Sequence, residues 1–448
     1  MTVERHGARE AAALALFSIH EEGAWSAQAV DRYAKHLSPR DTALATALVG
    51  GVLQHQAMCD WYLTKFSHTR LKKIEPRILD LMRLAVYQMV WMDRIPNSAA
   101  INESVELARR LCRGRKQTIG FVNAVLRSVD RQCDDLPRPD CPTKEEYYAL
   151  EFSHPLWLST LLCEEYGYKQ ARLMMQANNQ PAPTVLRVNT LRAQTESVLK
   201  TLLDAGIKAE LHETIPNCIT CTGTGSLREL ALFQSGAVTV QDGASQMSIW
   251  ALDPQPGSVM IDCCSAPGGK SFFAAERMNN TGMIRSCDIF DHKLNKIREG
   301  AARLGLSILH PALQDASEFV PEWEASADYV LCDVPCSGLG IIRKKPEIRY
   351  KDPAELEQLP ELQYAILENC ARYVKDGGTL VYSTCTILRR ENQEIVKRFQ
   401  KAHPEFELCS FSLPVCEETV DGMITLLPHI HKTDGFFVAK FRKMPYYQ

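Results

Sequence analysis

Two cysteines stand where strands of an α/β domain are expected to end. Cys336 lies in the run DVPCSG at residues 333–338, and Cys385 lies in the run YSTCT at residues 382–386. A thiolate is a good nucleophile for an electron-poor ring carbon, and ligands of open α/β sheets bind in the crevice at the carboxyl ends of the strands. The pattern predicts thiolate chemistry beside a nucleotide-like cofactor.

A glycine-containing turn, DCCSAPGGK at residues 262–270, precedes both cysteines. It follows an apolar run and opens a helical one, so its glycines would allow close backbone approach to a ligand at a helix N-terminus. A purely structural strand-to-helix turn remains an alternative. The candidates for cofactor contact in this turn are Cys264, Ser265, Ala266, Pro267, Gly268, Gly269 and Lys270.

Two acidic residues after the next strands are candidates for holding a nucleoside. Asp288 stands about 20 residues beyond the turn, where a carboxylate binds ribose hydroxyls in dinucleotide-binding folds. Asp315 follows the presumed third strand and could reach an adenine amino group. Alternatively, Asp288 is a helix-entry carboxylate and Asp315 caps the turn at Ala316 and Ser317.

The turn also resembles part of a phosphate-binding loop, because Gly269, Lys270 and Ser271 supply the last three residues of GxxxxGK[ST]. The first glycine of that pattern would fall on Cys264, and Pro267 removes an N–H from a loop that presents N–H groups to phosphate. A cofactor with less phosphate is favoured, and a phosphate-loop NTPase is the competing enzyme class.

Composition indicates a multidomain globular protein. The chain has 448 residues, of which 45% are hydrophobic and 23% charged, with no apolar run long enough to span a membrane. Its sixteen cysteines are scattered and no secretory signal is evident, which favours a reducing, cytoplasmic location. Cys218 and Cys221 have the spacing of half a zinc site, but without a second pair we expect no metal.

The chain divides into three parts by pattern. Residues 1–133 show helical spacing of apolar residues, and a proline-rich linker follows at 134–142. Residues 134–235 comprise the linker and a small α+β unit. From 236 to 448, predicted strands (258–262, 282–287, 329–333, 379–383) alternate with predicted helices (270–278, 292–304, 353–374, 392–403). Such alternation predicts a parallel, doubly wound sheet.

Basic residues are concentrated in places where phosphate contact is plausible. Arg109, Arg110, Arg113, Arg115 and Lys116 fall within eight residues near the end of a predicted helix. Cations also favour helix C-termini without any ligand, so the pattern has a second explanation. With Arg187 and the run RKK at 343–345, these residues are the candidates for contact with a nucleic-acid backbone.

The motifs together resemble a known family. The runs at 262–270, 333–338 and 382–386, with QDGASQ at 241–246 and REN at 390–392, are similar to the signature of Nop/Sun-type RNA cytosine-C5 methyltransferases. The front third, with LAVYQ at 84–88 and FVNAVLR at 121–127, resembles a NusB-like domain. That combination is typical of the bacterial 16S ribosomal RNA methyltransferase B group. Cys263, Ser265, Val334 and Thr386 depart from the usual residues, but none of them is a reacting group.

The resemblance implies a fold and a function. The fold would be an all-α NusB-like N-terminal domain, a small α+β unit of ferredoxin or RRM type, and a C-terminal α/β Rossmann-like methyltransferase domain. The activity would be methylation of carbon 5 of a cytosine in 16S ribosomal RNA, with S-adenosyl-L-methionine as cofactor and a monomeric enzyme. The target cytosine would have to be single-stranded or extruded from its helix. A non-enzymatic RNA-binding module built on the helical part remains the alternative.

The resemblance also implies residue roles. Cys385 would add to carbon 6 of the cytosine, which makes carbon 5 nucleophilic towards the methyl group. Cys336 would assist release of the product. Asp333 would contact the amino and N3 edge of the base and lie near the cofactor. No histidine beside Cys385 in the sequence accounts for its deprotonation.

Overall fold

The computed structural model describes residues 7–111, 114–222 and 229–445. By their contacts these residues form two compact units. Unit 1 comprises residues 1–180 and 344–351, and unit 2 comprises residues 181–343 and 352–448. The structure groups the helices before residue 180 with the N-terminal ones. The predicted division of the chain into three parts, with bounds at 133 and 235, stays a prediction.

Unit 1 is helical. Its helices are α1 (Ala8–Glu22), α2 (Ser26–Ala34), α3 (Pro39–Phe66), α4 (Pro76–Trp91), α5 (Asn97–Leu111), α6 (Lys116–Asp130), α7 (Lys144–Glu151) and α8 (Leu156–Asn178). The apolar residues that recur at helical spacing, such as Leu81, Leu84 and Ala85 on α4, are buried in one core shared by α1 to α6.

Unit 2 begins with a small antiparallel sheet in the strand order β2-β3-β1-β4. Its elements are β1 (Thr184–Val188), α9 (Thr195–Asp204), β2 (Lys208–Leu211), β3 (Cys218–Thr222), α10 (Ala231–Gln234) and β4 (Val238–Val240). Leu186, Val198 and Ile219 form part of a separate core that joins α9 to the sheet. Cys218 and Cys221 are both buried on β3, and Cys218 bonds to Gln246 rather than to a second cysteine pair.

The rest of unit 2 is built on a larger sheet in the order β10-β12-β9-β8-β5-β6-β7, with β11 paired to β12. The strands are β5 (Val259–Asp262), β6 (Met283–Asp288), β7 (Leu309–Leu313), β8 (Ala327–Asp333), β9 (Val374–Thr384), β10 (Phe406–Leu408), β11 (Met423–Leu426) and β12 (Phe436–Lys443). The helices are α11 (Gly243–Leu252), α12 (Gly269–Arg277), α13 (Asp291–Leu304), α14 (Leu359–Arg372), α15 (Gln393–Ala402) and α16 (Pro428–His431).

This sheet is mixed: the predicted parallel, doubly wound part is present, but the prediction did not include the antiparallel strands on one side of it. Strands β5 to β9 are parallel to their neighbours, but β12 is antiparallel to β9, and β10 and β11 are antiparallel to β12. Short strands at the end of the chain extend the sheet beyond the alternating pattern that predicted it. The predicted strands and helices of the parallel part are otherwise present within a few residues.

Both faces of the large sheet are covered, as its apolar strands predicted. Because side chains alternate along a strand, Met260 and Leu331 pack with α11 to α13, while Ile261 and Cys332 pack with α14 and α15 on the other face. A sheet buried on both sides leaves one accessible place for chemistry, namely the edge where the parallel strands end.

Candidate active site

The carboxyl ends of the parallel strands bring together the predicted site residues. Asp262, Asp288 and Asp333 are the last residues of β5, β6 and β8. Asp262 pairs in register with residues of both neighbouring strands, β6 and β8, and Asp333 lies opposite Ser383 on β9. The strand ends therefore align at one edge of the sheet.

The turn after β5 is folded tightly against β6. The amide of Ser265 donates to the carbonyl of Cys287 at 2.7 Å, and the amide of Gly268 donates to the carbonyl of Ser265 at 2.7 Å. Gly268 has φ of 106°, a left-handed conformation that glycine adopts without strain, and α12 begins directly after it. The turn thus places the N-terminus of α12 at the edge of the sheet.

Beneath this turn the buried carboxyl group of Asp262 accepts from one hydroxyl group, which a second hydroxyl group supports. Ser271 Oγ donates to Asp262 Oδ2 at 2.6 Å, and Ser286 Oγ lies 2.9 Å from Ser271 Oγ. Burial raises the pKa of Asp262 to about 7. Asp262 thus ties the turn to β6 without facing solvent.

The two predicted catalytic cysteines are adjacent. Cys336 Sγ lies 3.2 Å from Cys385 Sγ, which is well beyond the roughly 2.0 Å of a disulfide bond. The hydrogen bond with Cys385 and burial raise the pKa of Cys336 well above that of an ordinary thiol. At neutral pH Cys336 is therefore a protonated thiol next to Cys385.

Lys270 extends from the turn towards the cysteines. Its Nζ donates to Asp333 Oδ2 at 2.8 Å and lies 5.4 Å from the centre of the Phe436 ring. Burial alone would lower the pKa of Lys270, but the charges of Asp333 and Cys385 outweigh burial, so that pKa is raised. Ser383 Oγ donates to the other Asp333 oxygen at 2.7 Å. The site therefore holds a bonded ammonium–carboxylate pair and a pair of thiols in contact with each other, and the charge of Cys385 acts on Lys270.

Sequence reasoning assigned no role to Glu391, which connects the two cysteine loops. This residue is fully buried, accepts from the amide of Ser337 at 2.9 Å and from Gln363 Nε2 at 2.8 Å, and receives the Thr386 hydroxyl at 3.4 Å. Ser337 follows Cys336 and Thr386 follows Cys385. The signal was present in the run REN at 390–392, which follows the second cysteine loop in the chain.

The nucleoside candidates lie at the same edge. Asp288 accepts from the amide of Phe290 at 3.0 Å and lies 3.6 Å from Lys293 Nζ. Asp315 follows β7, and its Oδ1 accepts from the amide and hydroxyl of Ser317 at 2.9 and 2.6 Å. Asp315 therefore makes the turn cap that was its alternative role, and its contact with a cofactor stays a prediction.

The predicted backbone-binding role of Arg187 was wrong. This residue is 1% exposed, forms an ion pair with Glu276, donates to Gln241 at 2.7 Å and stacks over Phe273. A strand position inside a small sheet buried its guanidinium, which the sequence alone did not indicate.

The other basic candidates are partly engaged with carboxylates. Arg109, Arg110 and Arg115 are exposed and pair with glutamates, and Arg343 is mostly buried and pairs with Asp434. Arg113 lies outside the described residues. RNA contact by the exposed arginines stays a prediction.

Comparison with known proteins gives the family. Residues 249–442 match the family described as 16S rRNA methyltransferase RsmB/F, residues 6–131 match the NusB family, and residues 154–228 match a ferredoxin-like domain of RsmF/B-like methyltransferases. The probable ribosomal RNA small subunit methyltransferase B of Bacillus subtilis is 37% identical over 98% of this chain and 100% of its own. The chain belongs to the ribosomal RNA small subunit methyltransferase B family.

Other members and solved structures agree with this family assignment. Ribosomal RNA small subunit methyltransferase B of Escherichia coli is 32% identical over 97% of this chain and 98% of its own. The crystal structure of PH0851 superposes with a TM-score of 0.82 and 26% identity over 99% of this chain and all of that one. The structure of a methyltransferase homologue from Pyrococcus horikoshii superposes with a TM-score of 0.59. It is 26% identical in sequence and covers 68% of this chain and all of that one.

The family confirms the resemblance found in the motifs and the three kinds of domain it implied. It argues against a phosphate-loop NTPase, as does Lys270, whose Nζ bonds to Asp333. Among the residues that the structure describes, no helix is long and apolar enough to cross a membrane. The same residues include no cluster of three or more potential metal ligands of the His, Cys, Asp or Glu type.

Proposed function

We propose that this member of the ribosomal RNA small subunit methyltransferase B family methylates carbon 5 of a cytosine in 16S ribosomal RNA through a covalent adduct of Cys385. The observation that carries the proposal is the contact of two thiols, at 3.2 Å, beside the Lys270 and Asp333 ion pair. Two adjacent thiols suit a reaction that must form and then release a protein–base bond.

S-adenosyl-L-methionine supplies an electrophilic methyl group, and the turn at 262–270 with Asp288 and Asp315 is the proposed place for it. The N-terminus of α12 and the carboxylate at the end of β6 occupy the positions that hold nucleoside cofactors in folds of this class. The sheet edge thus brings the cofactor side of the site next to Cys385.

Cys385 acts as the nucleophile. Its thiolate adds to carbon 6 of the cytosine, which places the displaced pair of electrons on carbon 5; bound S-adenosyl-L-methionine would supply the methyl group that carbon 5 takes up, with S-adenosylhomocysteine as the leaving group. A base then removes the proton at carbon 5, and elimination of the thiolate restores the double bond and the enzyme. The Lys270 ammonium stabilises the thiolate of Cys385, which fills the role that no neighbouring histidine takes.

Asp333 and Cys336 support the two halves of the reaction. Asp333, held by Lys270 and Ser383, contacts the amino and N3 edge of the base and stabilises the adduct. Cys336, whose raised pKa keeps its proton at neutral pH, lies against the sulfur that must leave. It is placed to assist release rather than to attack.

The deciding experiment combines unmodified 16S ribosomal RNA with methyl-labelled S-adenosyl-L-methionine and compares wild type, Cys385→Ala and Cys409→Ala. Cys409 is the matched control, because its thiol directly follows β10, which is separated from β9 by β12 in the sheet. Label should appear as 5-methylcytosine with wild type and Cys409→Ala only. Label in another base, or full transfer by Cys385→Ala, would reject the proposed chemistry.

A further inference from the structure

Unit 2 contains a cavity, lined by both polar and apolar groups, that the catalytic chemistry does not use. Its volume is about 460 Å³, within the range of small-molecule sites, and it opens between the small antiparallel sheet and the start of α11. Val185, Glu210 and His212 line one side, and Asp242, Arg343 and Thr433 line the other. All six residues belong to the same compact unit.

The cavity presents a fixed hydrogen-bond donor. His212 Nδ1 accepts from the amides of Thr214 and Ile215 at 3.3 and 3.2 Å, which places the proton of the neutral ring on Nε2. Burial lowers the pKa of His212, so the ring is neutral at physiological pH. Nε2 faces α11, since a Cβ added to Gly243 would stand 3.8 Å from it. A ligand here would meet an N–H donor and would need to supply an acceptor.

The charges of the cavity disfavour a phosphate. Arg343 pairs with Asp434, and Lys432 pairs with Glu213. Glu210 and Asp242 add carboxylates, and the Asp242 side chain caps α11 by accepting from the amide of Ala244. Carboxylates accept hydrogen bonds from amino and hydroxyl groups. The lining therefore fits a neutral ring that carries both amino donors and acceptors, such as a nucleobase.

Backbone hydrogen bonds connect the Cys385 loop to the chain segments that carry two residues of the cavity lining. The amide of Gly340 donates to the carbonyl of Cys385 at 3.0 Å, and the amide of Gly435 donates to the carbonyl of Gly340 at 2.8 Å. Arg343 follows Gly340 closely along the chain, and Thr433 precedes Gly435 in the same way. This connection within unit 2 is the reason to expect that a nucleotide neighbouring a cytosine at Cys385 enters the cavity.

We propose that this cavity binds a nucleobase of the substrate RNA that neighbours the target cytosine. His212 Nε2 donates a hydrogen bond to an acceptor atom of that base. The proposal rests on the proposed function, because it places the target at Cys385. A site of this kind would hold flanking sequence single-stranded and would let the enzyme select its cytosine by its neighbour.

The kinetic test compares His212→Ala, His212→Gln and the control His310→Ala, whose ring is exposed on β7. Loss of one hydrogen bond should raise KM for unmodified 16S ribosomal RNA about 5-fold in His212→Ala. The value of kcat and the affinity for S-adenosyl-L-methionine should stay near those of wild type. His212→Gln, which keeps an N–H donor, should recover most of the loss. An unchanged KM in His212→Ala, or a loss equal in His310→Ala, would overturn the proposal.

A second test locates the RNA directly. A benzoylphenylalanine at position 211, where Leu211 lines the cavity and is 50% exposed, is combined with Cys336→Ala to trap RNA on Cys385. Photocrosslinking should map to a nucleotide neighbouring the trapped cytosine. An adduct whose crosslinks fall only on distant nucleotides, or that gives no crosslink, would refute the cavity site while leaving the proposed function intact. Absence of methylation by wild type would instead count against the proposed function.

Discussion

At the residue scale, the contact between Cys336 and Cys385 allows the proposed roles in attack and release to be tested separately. Cys336→Ala removes the thiol that lies 3.2 Å from the leaving sulfur, while Cys385 keeps its position beside Lys270. We expect the variant to form the RNA adduct and release it slowly, so that a covalent complex accumulates on a denaturing gel. Cys385→Ala should give no such band, and normal turnover by Cys336→Ala without an adduct would remove the release role.

Lys270 is expected to control the nucleophile by its charge. Lys270→Met removes the ammonium that stabilises a thiolate at Cys385, and kcat should fall roughly 100-fold, the usual cost of losing one preorganised charged donor. Alkylation of Cys385 by iodoacetamide, followed by mass spectrometry of its peptide, should slow at neutral pH and recover at higher pH. Lys401→Met, at the end of α15, serves as the control. An unchanged rate of Cys385 alkylation in Lys270→Met would show that the Lys270 ammonium does not stabilise the thiolate of Cys385.

Sequence analysis selected residues that the structure brings together, but it did not find all their partners. The cysteines, Asp333 and the turn could be predicted because short motifs carry them. Lys270 was grouped with the cofactor turn by its place in the chain, whereas its side chain also reaches Asp333. The run REN marked Glu391 as part of a motif but not its role, because its bonds to the two cysteine loops form only when separate segments pack together.

At the element scale, the turn between β5 and α12 depends on Gly268. Its φ of 106° is strained for other residues, and an added Cβ would lie 2.5 Å from the Phe272 ring. Gly268→Ala should cost about 1–3 kcal/mol of stability and weaken binding of S-adenosyl-L-methionine, as measured by thermal unfolding and calorimetric titration. Gly120→Ala, in α6 with open space around it, should cost nothing. Equal cofactor affinity in the two variants would contradict this account of the turn.

The buried carboxylate at the end of β5 predicts a pH dependence of stability. Asp262 has a pKa near 3.8 when unperturbed and about 7 in the folded protein, because burial raises it. The folded state therefore keeps a proton that the unfolded chain releases, so the free energy of unfolding falls as pH rises from 3.8 to about 7 and stays low above that.

Asp262→Asn should make stability less dependent on pH. Its Tm relative to wild type should be higher at about pH 8 than at about pH 5, because the variant has no carboxyl group to ionise. Asp291→Asn, whose carboxylate is 70% exposed, is the control for a carboxyl change in the same half of the chain. A constant difference between Asp262→Asn and wild type across this range would show that Asp262 is not the group responsible.

The elements of the parallel sheet could be predicted because each strand and helix has its own local pattern. The predicted helix at 353–374 was too long, since Pro360 fits only the first turn of α14, which begins at Leu359. The antiparallel strands were missed because β10 and β11 are short and are defined by pairing with β12, which follows them in the chain. Pairing of that kind has no local signal.

At the scale of the whole molecule, the chain crosses between the two compact units more than once. Residues 344–351 follow the Cys336 loop in sequence, yet their contacts place them in helical unit 1. There Glu347 accepts from the amide and hydroxyl of Ser26, and the Tyr350 hydroxyl donates to the carbonyl of Leu53 at 2.8 Å. No local pattern in residues 344–351 predicts contact with the helices of unit 1, because the contact joins segments about 300 residues apart.

Arg349 is the centre of this attachment. It is fully buried and donates to the carbonyls of Ser153, Phe152 and Gln54 and to Asn179 Oδ1, at 2.9, 3.2, 3.4 and 3.0 Å. Burial lowers the pKa of Arg349 to about 10, so the guanidinium is still charged at neutral pH. Its charge is balanced mainly by carbonyl dipoles, which only a guanidinium of this reach can satisfy together.

Arg349→Met should therefore destabilise unit 1 by about 2–4 kcal/mol, because it removes the donor that Arg349 provides to the Ser153 carbonyl and to Asn179 Oδ1. Hydrogen exchange measured by mass spectrometry should rise in α3 and around residues 152–154, while β5 to β9 keep the protection of wild type. Arg372→Met, which alters a half-exposed guanidinium on α14, should leave α3 unaffected. Equal exchange in α3 of Arg349→Met and wild type would mean that the segment is held by its apolar residues alone. A methylation rate that fell together with protection of α3 would show that the helical unit supports catalysis through this segment, since Arg349 itself lies outside the catalytic unit.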